Sequence, residues 1–89
     1  MSIFKQLIDK KVLRILDLLL RNKGKLFHLN KISEDAKVPI GTTFRLVAKL
    51  VSLELLDVVV IGKMKIYKIA DNEKVKEIES AFIKNEDKK

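Results

Sequence analysis

The sequence of 89 residues has no cysteine, no tryptophan, one proline and one histidine. Without cysteine there is neither a disulfide framework nor a thiolate metal site, which fits the cytoplasm. A lone histidine, His28, supplies no metal-ligand pair, and it reads as an ordinary structural or surface residue. No glycine loop of the phosphate-cradling kind is present, and the carboxylates are scattered or helical. No catalytic residue, metal or other cofactor is therefore expected, and no small-molecule ligand is evident. Long apolar runs are missing as well. The longest, 15–20 and 55–61, fall far short of the roughly 20 residues a membrane-spanning helix needs. With no signal-peptide pattern either, the expectation is a soluble cytoplasmic protein with no membrane partner. Nothing resembles an internal repeat or a low-complexity linker.

What remains is a chain that is 47% hydrophobic, enough for one small core but not for a separate catalytic or sensing domain. Lys and Arg number 19 against 12 Asp and Glu, a formal charge of +7. The excess is uneven: residues 1–36 carry +4, residues 37–70 carry +4, and residues 71–89 carry −1. Such a bias favours polyanionic partners, nucleic acid first and an anionic membrane surface second.

From Ser2 to Arg21, apolar residues recur at intervals of three and four, which predicts a helix with a wide buried face, closed by Gly24. Leu26 to Leu29 reads as a short extended segment. Asn30 can cap a brief second helix that carries Ile32 and Ala36 and ends near Lys37. Pro39 lacks an N–H and biases Val38 away from helical geometry, so a turn follows. A third helix is predicted over 41–53, with Thr43, Leu46, Val47, Leu50 and Leu53 inward and Thr42, Arg45, Lys49 and Ser52 outward. Phe44 falls near the polar side. Residues 56–70 read as a hairpin: β-branched Leu56 to Ile61, a turn at Gly62-Lys63, and a return strand bearing Tyr67 and Ile69 on one face. Asp71 or Asn72 can cap a last helix over 72–84, with Val75, Ile78 and Phe82 in a stripe. Residues 85–89 form a polar tail.

This order of elements predicts an α+β, mainly α fold: a winged helix-turn-helix over residues 1–84, with a three-helix core, a β-hairpin wing and a C-terminal helix. In that architecture the third helix enters the DNA major groove, and a basic hairpin reaches phosphates or the minor groove. The run Val38-Pro39-Ile40-Gly41-Thr42-Thr43-Phe44-Arg45-Leu46-Val47-Ala48-Lys49-Leu50 resembles the turn and recognition helix of MarR-type and ArsR-type regulators. Leu55-Leu56 is similar to their lead into the wing, and Lys65 to Ile69 to their returning wing strand. Three departures stand out. Glu54 occupies the position where those families usually carry glycine, which leaves a helix end as late as Leu55 open. The wing tip is Gly62-Lys63 in place of an arginine-rich tip, and one modest C-terminal helix stands in for long dimerisation helices. The abundance of Lys and Ile resembles archaeal thermophile sequences.

The resemblance implies that Ile40, Gly41, Thr42, Phe44, Arg45 and Lys49 form the groove-facing side of the third helix, with Lys63, Lys65 and Lys68 contributed by the wing. Arg45 would meet guanine or a phosphate, and Thr42 a phosphate or a thymine methyl, unless these are simply solvated positions. Phe44 packs either on the sugar and thymine surface or toward the wing or a partner. The lysines either contact phosphates or guard an exposed strand edge. Val75, Ile78 and Phe82 form either a dimer seam with Phe4 and Ile8 or an intramolecular contact; a homodimer is expected because short palindromic sites need two readers. The function expected is sequence-specific binding of double-stranded DNA by a transcription regulator. The alternative is a winged-helix protein-interaction module of transcription, replication or membrane-remodelling machinery. The two separate on whether Phe44 and Ile40 form an isolated apolar patch or stand within a basic face.

Overall fold

The computed structural model describes residues 10–87, and the side chains of residues 10–81. Seven elements follow in order: α1 (Lys10–Leu20), β1 (Phe27–His28), α2 (Leu29–Ala36), α3 (Ile40–Ser52), β2 (Leu56–Ile61), β3 (Met64–Ile69) and α4 (Glu73–Asp87). Helices α1 to α3 pack around one core, and a three-stranded antiparallel sheet in the order β1-β3-β2 closes it. The fold is a winged helix-turn-helix, mainly helical with a small antiparallel sheet.

Periodicity decides what enters the core. Ile15, Leu16 and Leu19 of α1, Ile32 and Ala36 of α2, and Leu46, Val47 and Leu50 of α3 are all buried at helical spacing. The sheet adds alternate residues: register sets Leu56 opposite Ile69 and Val58 opposite Tyr67, with Phe27 on the other side of Tyr67. Leu56, Ile69, Tyr67 and Phe27 are buried, so that face of the sheet lies on the helices. The opposite face carries His28, Asp57, Val59, Ile61, Met64, Ile66 and Lys68. At the hairpin tip, Gly62 takes φ +62° in a two-residue connection between paired Ile61 and Met64. Glycine with positive φ at the first central position is the pattern of a type II′ turn, whose twist matches that of the strands.

Several boundaries differ from the sequence expectation, each for a tertiary reason. α2 begins at Leu29, so Asn30 lies inside the helix; its N-cap is His28, in extended geometry with no side-chain capping bond. Pairing of Phe27 and His28 with Tyr67 and Ile66 fixes where the strand ends, and the helix starts at the next residue. α3 ends at Ser52, one residue before the expected Leu53 and short of Leu55. The chain reverses because Glu54 itself adopts the left-handed conformation, φ +67°, in the place of the family glycine. Leu53, expected on the buried stripe, becomes the C-cap and stays exposed. α4 runs on to Asp87, past the expected end at Lys84 and into the expected tail. Its N-terminus is capped as anticipated, by Asn72 Oδ1 accepting from the Val75 N–H at 2.9 Å. Phe4 and Ile8 lie outside the described residues, as does the side chain of Phe82.

Candidate nucleic-acid interface

The turn between α2 and α3 sets the direction of the outward face of α3. Lys37 closes α2 in the left-handed conformation, and the Lys37 and Val38 N–H groups return to the Glu34 and Ser33 carbonyls. The next carbonyl, that of buried Val38, is met from both helices. Ser33 Oγ of α2 donates to it at 2.5 Å, and Thr43 Oγ1 of α3 lies 3.2 Å from it and 3.0 Å from the Pro39 carbonyl. Thr43 is fully buried. Two hydroxyls converging on one carbonyl lock α3 against α2 at a point where the sequence offers no continuous helix.

With Thr43, Leu46, Val47 and Leu50 inward, the outward stripe of α3 consists of Ile40, Gly41, Phe44, Arg45, Ala48, Lys49 and Ser52, all exposed. Thr42 is half-buried beside them. Phe44 is 62% exposed and Ile40 48%, high values for large apolar side chains. Gly41 has helical geometry, and a Cβ built on it would meet nothing within 4 Å. The fold itself therefore gives no reason for a glycine there, although glycine in a helix costs about 0.5–1 kcal/mol relative to alanine. Ala48, which carries neither charge nor a hydrogen-bonding group, was not singled out from the sequence. The only signal for it is its spacing of four residues from Phe44.

The wing stands beside this stripe. An open concavity of about 310 Å³ lies between the start of α2, the ring of Phe44 and the wing tip, lined by His28, Asn30, Phe44, Lys63 and Lys65 among others. Lys63 and Lys65 therefore come together with Phe44. Lys68 does not join them. It alternates with Lys65 along β3 and points to the opposite face, in register with Asp57, so the three wing lysines do not form one patch. The wing is also more apolar than its lysines suggest: Val60, Ile61 and Met64 are exposed near the tip. Val60 shares the helix-facing side of Leu56 and Val58 yet stays exposed at the tip, whereas Val59, on the other side, is half-buried.

Among the described residues, the cations of the outward stripe and the wing have no acidic partners. The ion pairs Arg21–Asp17, Lys23–Glu79, Lys31–Asp35, Lys74–Glu54 and Lys76–Glu73 lie on α1, α2, α4 and the adjoining loops. Among the described residues, none of Arg45, Lys49, Lys63, Lys65 and Lys68 has an acidic partner. Of the dimer-seam candidates, Val75 is 4% exposed within the chain's own core and Ile78 packs against that core, so Val75 has little surface left for a partner copy. No group of three or more His, Asp and Glu arranged to hold a metal occurs among the described residues, and no helix there is long and apolar enough to cross a membrane.

A helix-turn-helix that presents an unpaired basic stripe beside a hairpin defines a winged-helix DNA-binding protein. The sequence pattern of the IclR helix-turn-helix domain matches residues 10–59, more than half of the chain. The protein belongs to this family of DNA-binding domains and is a transcription regulator. IclR is a different family from the MarR and ArsR types that the recognition helix resembles. The fold is shared with the solved structure of a possible transcriptional regulator from Methanosarcina mazei Go1. The two superpose with a TM-score of 0.69 over 88% of this chain and 69% of that one, at 20% identity. No curated protein matches the sequence.

Proposed function

We infer that the protein binds double-stranded DNA sequence-specifically as a homodimer in the cytoplasm, with α3 in the major groove and the wing over the flanking backbone. The observation that carries this reading is the set of unpaired cations that α3 and the wing tip present together. A protein stabilised by surface ion pairs has no need to leave Arg45, Lys49, Lys63 and Lys65 without partners on one side. A polyanion surface supplies those partners and releases counterions as it does so. Arg45 is the candidate for bidentate guanine recognition, Thr42 and Lys49 for phosphate, and Phe44 for a thymine methyl or a deoxyribose. Gly41 and Ala48 let the helix approach the base edges closely. Ile40 flanks the entry of the helix. Lys68, on the far face, is left out of the contact set.

Phe44 and Ile40 would mark a protein-docking patch if they stood apart from charge. Phe44 instead borders Arg45 on α3 and shares a concavity with Lys63 and Lys65, an arrangement that supports DNA. The dimer rests on the two-fold logic of operator sites and draws on α1, α4 and their flanks, Val75 excepted. The Lys- and Ile-rich composition supports an archaeal-type regulator.

The test is fluorescence anisotropy against a random duplex and the protein's own upstream region at two salt concentrations, with light scattering for mass. Tight binding that weakens steeply with salt is expected, with a preference for the upstream region and the mass of a dimer. Absence of affinity for either duplex at low salt would refute DNA binding.

A further inference from the structure

The positions inferred to touch DNA, Ala48 apart, follow from helix and wing patterns in the sequence. The concavity they border also contains groups that neither pattern reaches, His28 and Asn30. His28 is the only histidine in the chain. It is exposed, occupies the N-cap of α2 without forming a capping bond, and borders the concavity, with Met64, from the face of the sheet opposite Lys65; its side chain has no hydrogen-bond or ion-pair partner among the described residues. The charged groups on the surrounding elements are mostly basic. The wing contributes Lys63, Lys65 and Lys68, the approach to β1 contributes Lys25, and α2 contributes Lys31, Glu34 and Asp35. Asp35 is already paired with Lys31 at 3.4 Å, and on β2 the one acid, Asp57, is in register with Lys68. α3 brings the uncharged ring of Phe44, with Arg45 beside it. No acid lines the concavity.

Without DNA, no acid in the concavity offers an imidazolium a partner. With a phosphodiester in the same space, the imidazolium acquires a negative partner and becomes a charge-assisted donor. We propose that this concavity seats one backbone phosphate of the bound DNA, held by Lys63, Lys65 and Asn30 and by His28 in its imidazolium form, so that DNA binding takes up a proton. The proposal rests on the DNA-binding reading above and adds to it a binding residue on β1 and a pH dependence. Because the chain has a single histidine, a pH dependence of binding in this range has one side-chain source that substitution removes.

The experiment measures anisotropy of the intact protein on a duplex carrying a rhodamine label, whose emission is insensitive to pH in this range, at pH 5.5 and 7.5 over a salt series. For the wild type, Kd is expected to fall as pH falls, by less than about tenfold per pH unit because one proton is taken up. The log–log salt slope should steepen at pH 5.5 by up to about 0.9, the contribution of one additional phosphate contact. His28→Gln should bind identically at the two pH values, with the slope the wild type shows at pH 7.5. His28→Lys should hold the steeper slope at both. A wild type whose slope is unchanged with pH overturns the proposal while leaving DNA binding intact, as does a pH effect that survives in His28→Gln. Failure to bind at either pH overturns the DNA-binding reading itself and this inference with it.

Discussion

The Val38 carbonyl is the joint of the helix-turn-helix, and its two donors make a quantitative prediction. Val38 is 2% exposed, so water does not replace a lost partner. Ser33→Ala removes the 2.5 Å donor, but the Thr43 hydroxyl can then turn fully to Val38, since the Pro39 carbonyl keeps the Thr43 N–H at 2.8 Å. Thr43→Val removes the other hydroxyl at nearly constant volume and leaves Ser33 in place. Each single change forfeits one net hydrogen bond, about 1 kcal/mol. The double variant strands a buried carbonyl, which costs a further 1–2 kcal/mol or so, for a total of about 3–4 kcal/mol. At about 4–8 °C per kcal/mol for a domain of this size, each single change lowers Tm by about that interval and the pair by at least three times as much. Thermal and urea unfolding followed by far-ultraviolet circular dichroism measure all four corners of the cycle. A coupling of about 1–2 kcal/mol exceeds the 0.3–0.5 kcal/mol scatter of independent sites. An additive double variant would refute the joint, because it would mean that the carbonyl finds a partner elsewhere. Below its Tm, the double variant should also bind DNA more weakly, although neither substitution touches the outward face.

Gly41→Ala should raise stability by up to about 1 kcal/mol, because the fold has room for the methyl, while lowering DNA affinity; a rise in both would remove glycine from the contact surface. Arg45→Ala should cost about 1–3 kcal/mol of binding free energy and relax preference at one base position, with unfolding unchanged, as a selection of binding sites would show. Lys65→Ala should reduce the log–log salt slope by about 0.9 and Lys68→Ala should leave it unaltered, since β3 sends them to opposite faces. At Glu54, hydrogen bonding to Lys74 and its positive charge hold the carboxyl below the ordinary carboxylate value. A pKa lowered on folding contributes stability above the unfolded pKa that is lost as pH falls through the folded one. Lys74→Met should therefore lower Tm slightly at neutral pH and flatten the acid limb of the profile below about pH 4.3, so that the two proteins converge in acid.

The recognition helix was legible because its pattern is local. Pro39 breaks the chain, and Leu46, Val47 and Leu50 recur at helical spacing, so the outward positions follow by subtraction. The hairpin was legible from Val58-Val59-Val60 and the Gly62-Lys63 turn for the same reason. Less legible were features set by partners distant in sequence. Asn30 has the chemistry of a cap, yet pairing of His28 with Ile66 starts the helix at Leu29. Glu54 gives no sign in the sequence that it will adopt a left-handed conformation; Asn72, donating to its carbonyl at 2.8 Å, and Lys74, at its carboxylate, hold the segment from α4.

By itself the sequence determined the order of elements, the inward stripe of each helix and the excess of positive charge, because periodicity, turn chemistry and composition act over a few residues. Only the tertiary structure decided which charges remain unpaired, that Lys65 joins Phe44 while Lys68 turns away, and that His28 and Met64 border the same concavity from the other face of the sheet. Those outcomes depend on strand register, which pairs Phe27 with the distant Tyr67, and on the joint at the Val38 carbonyl, where side chains from two helices meet.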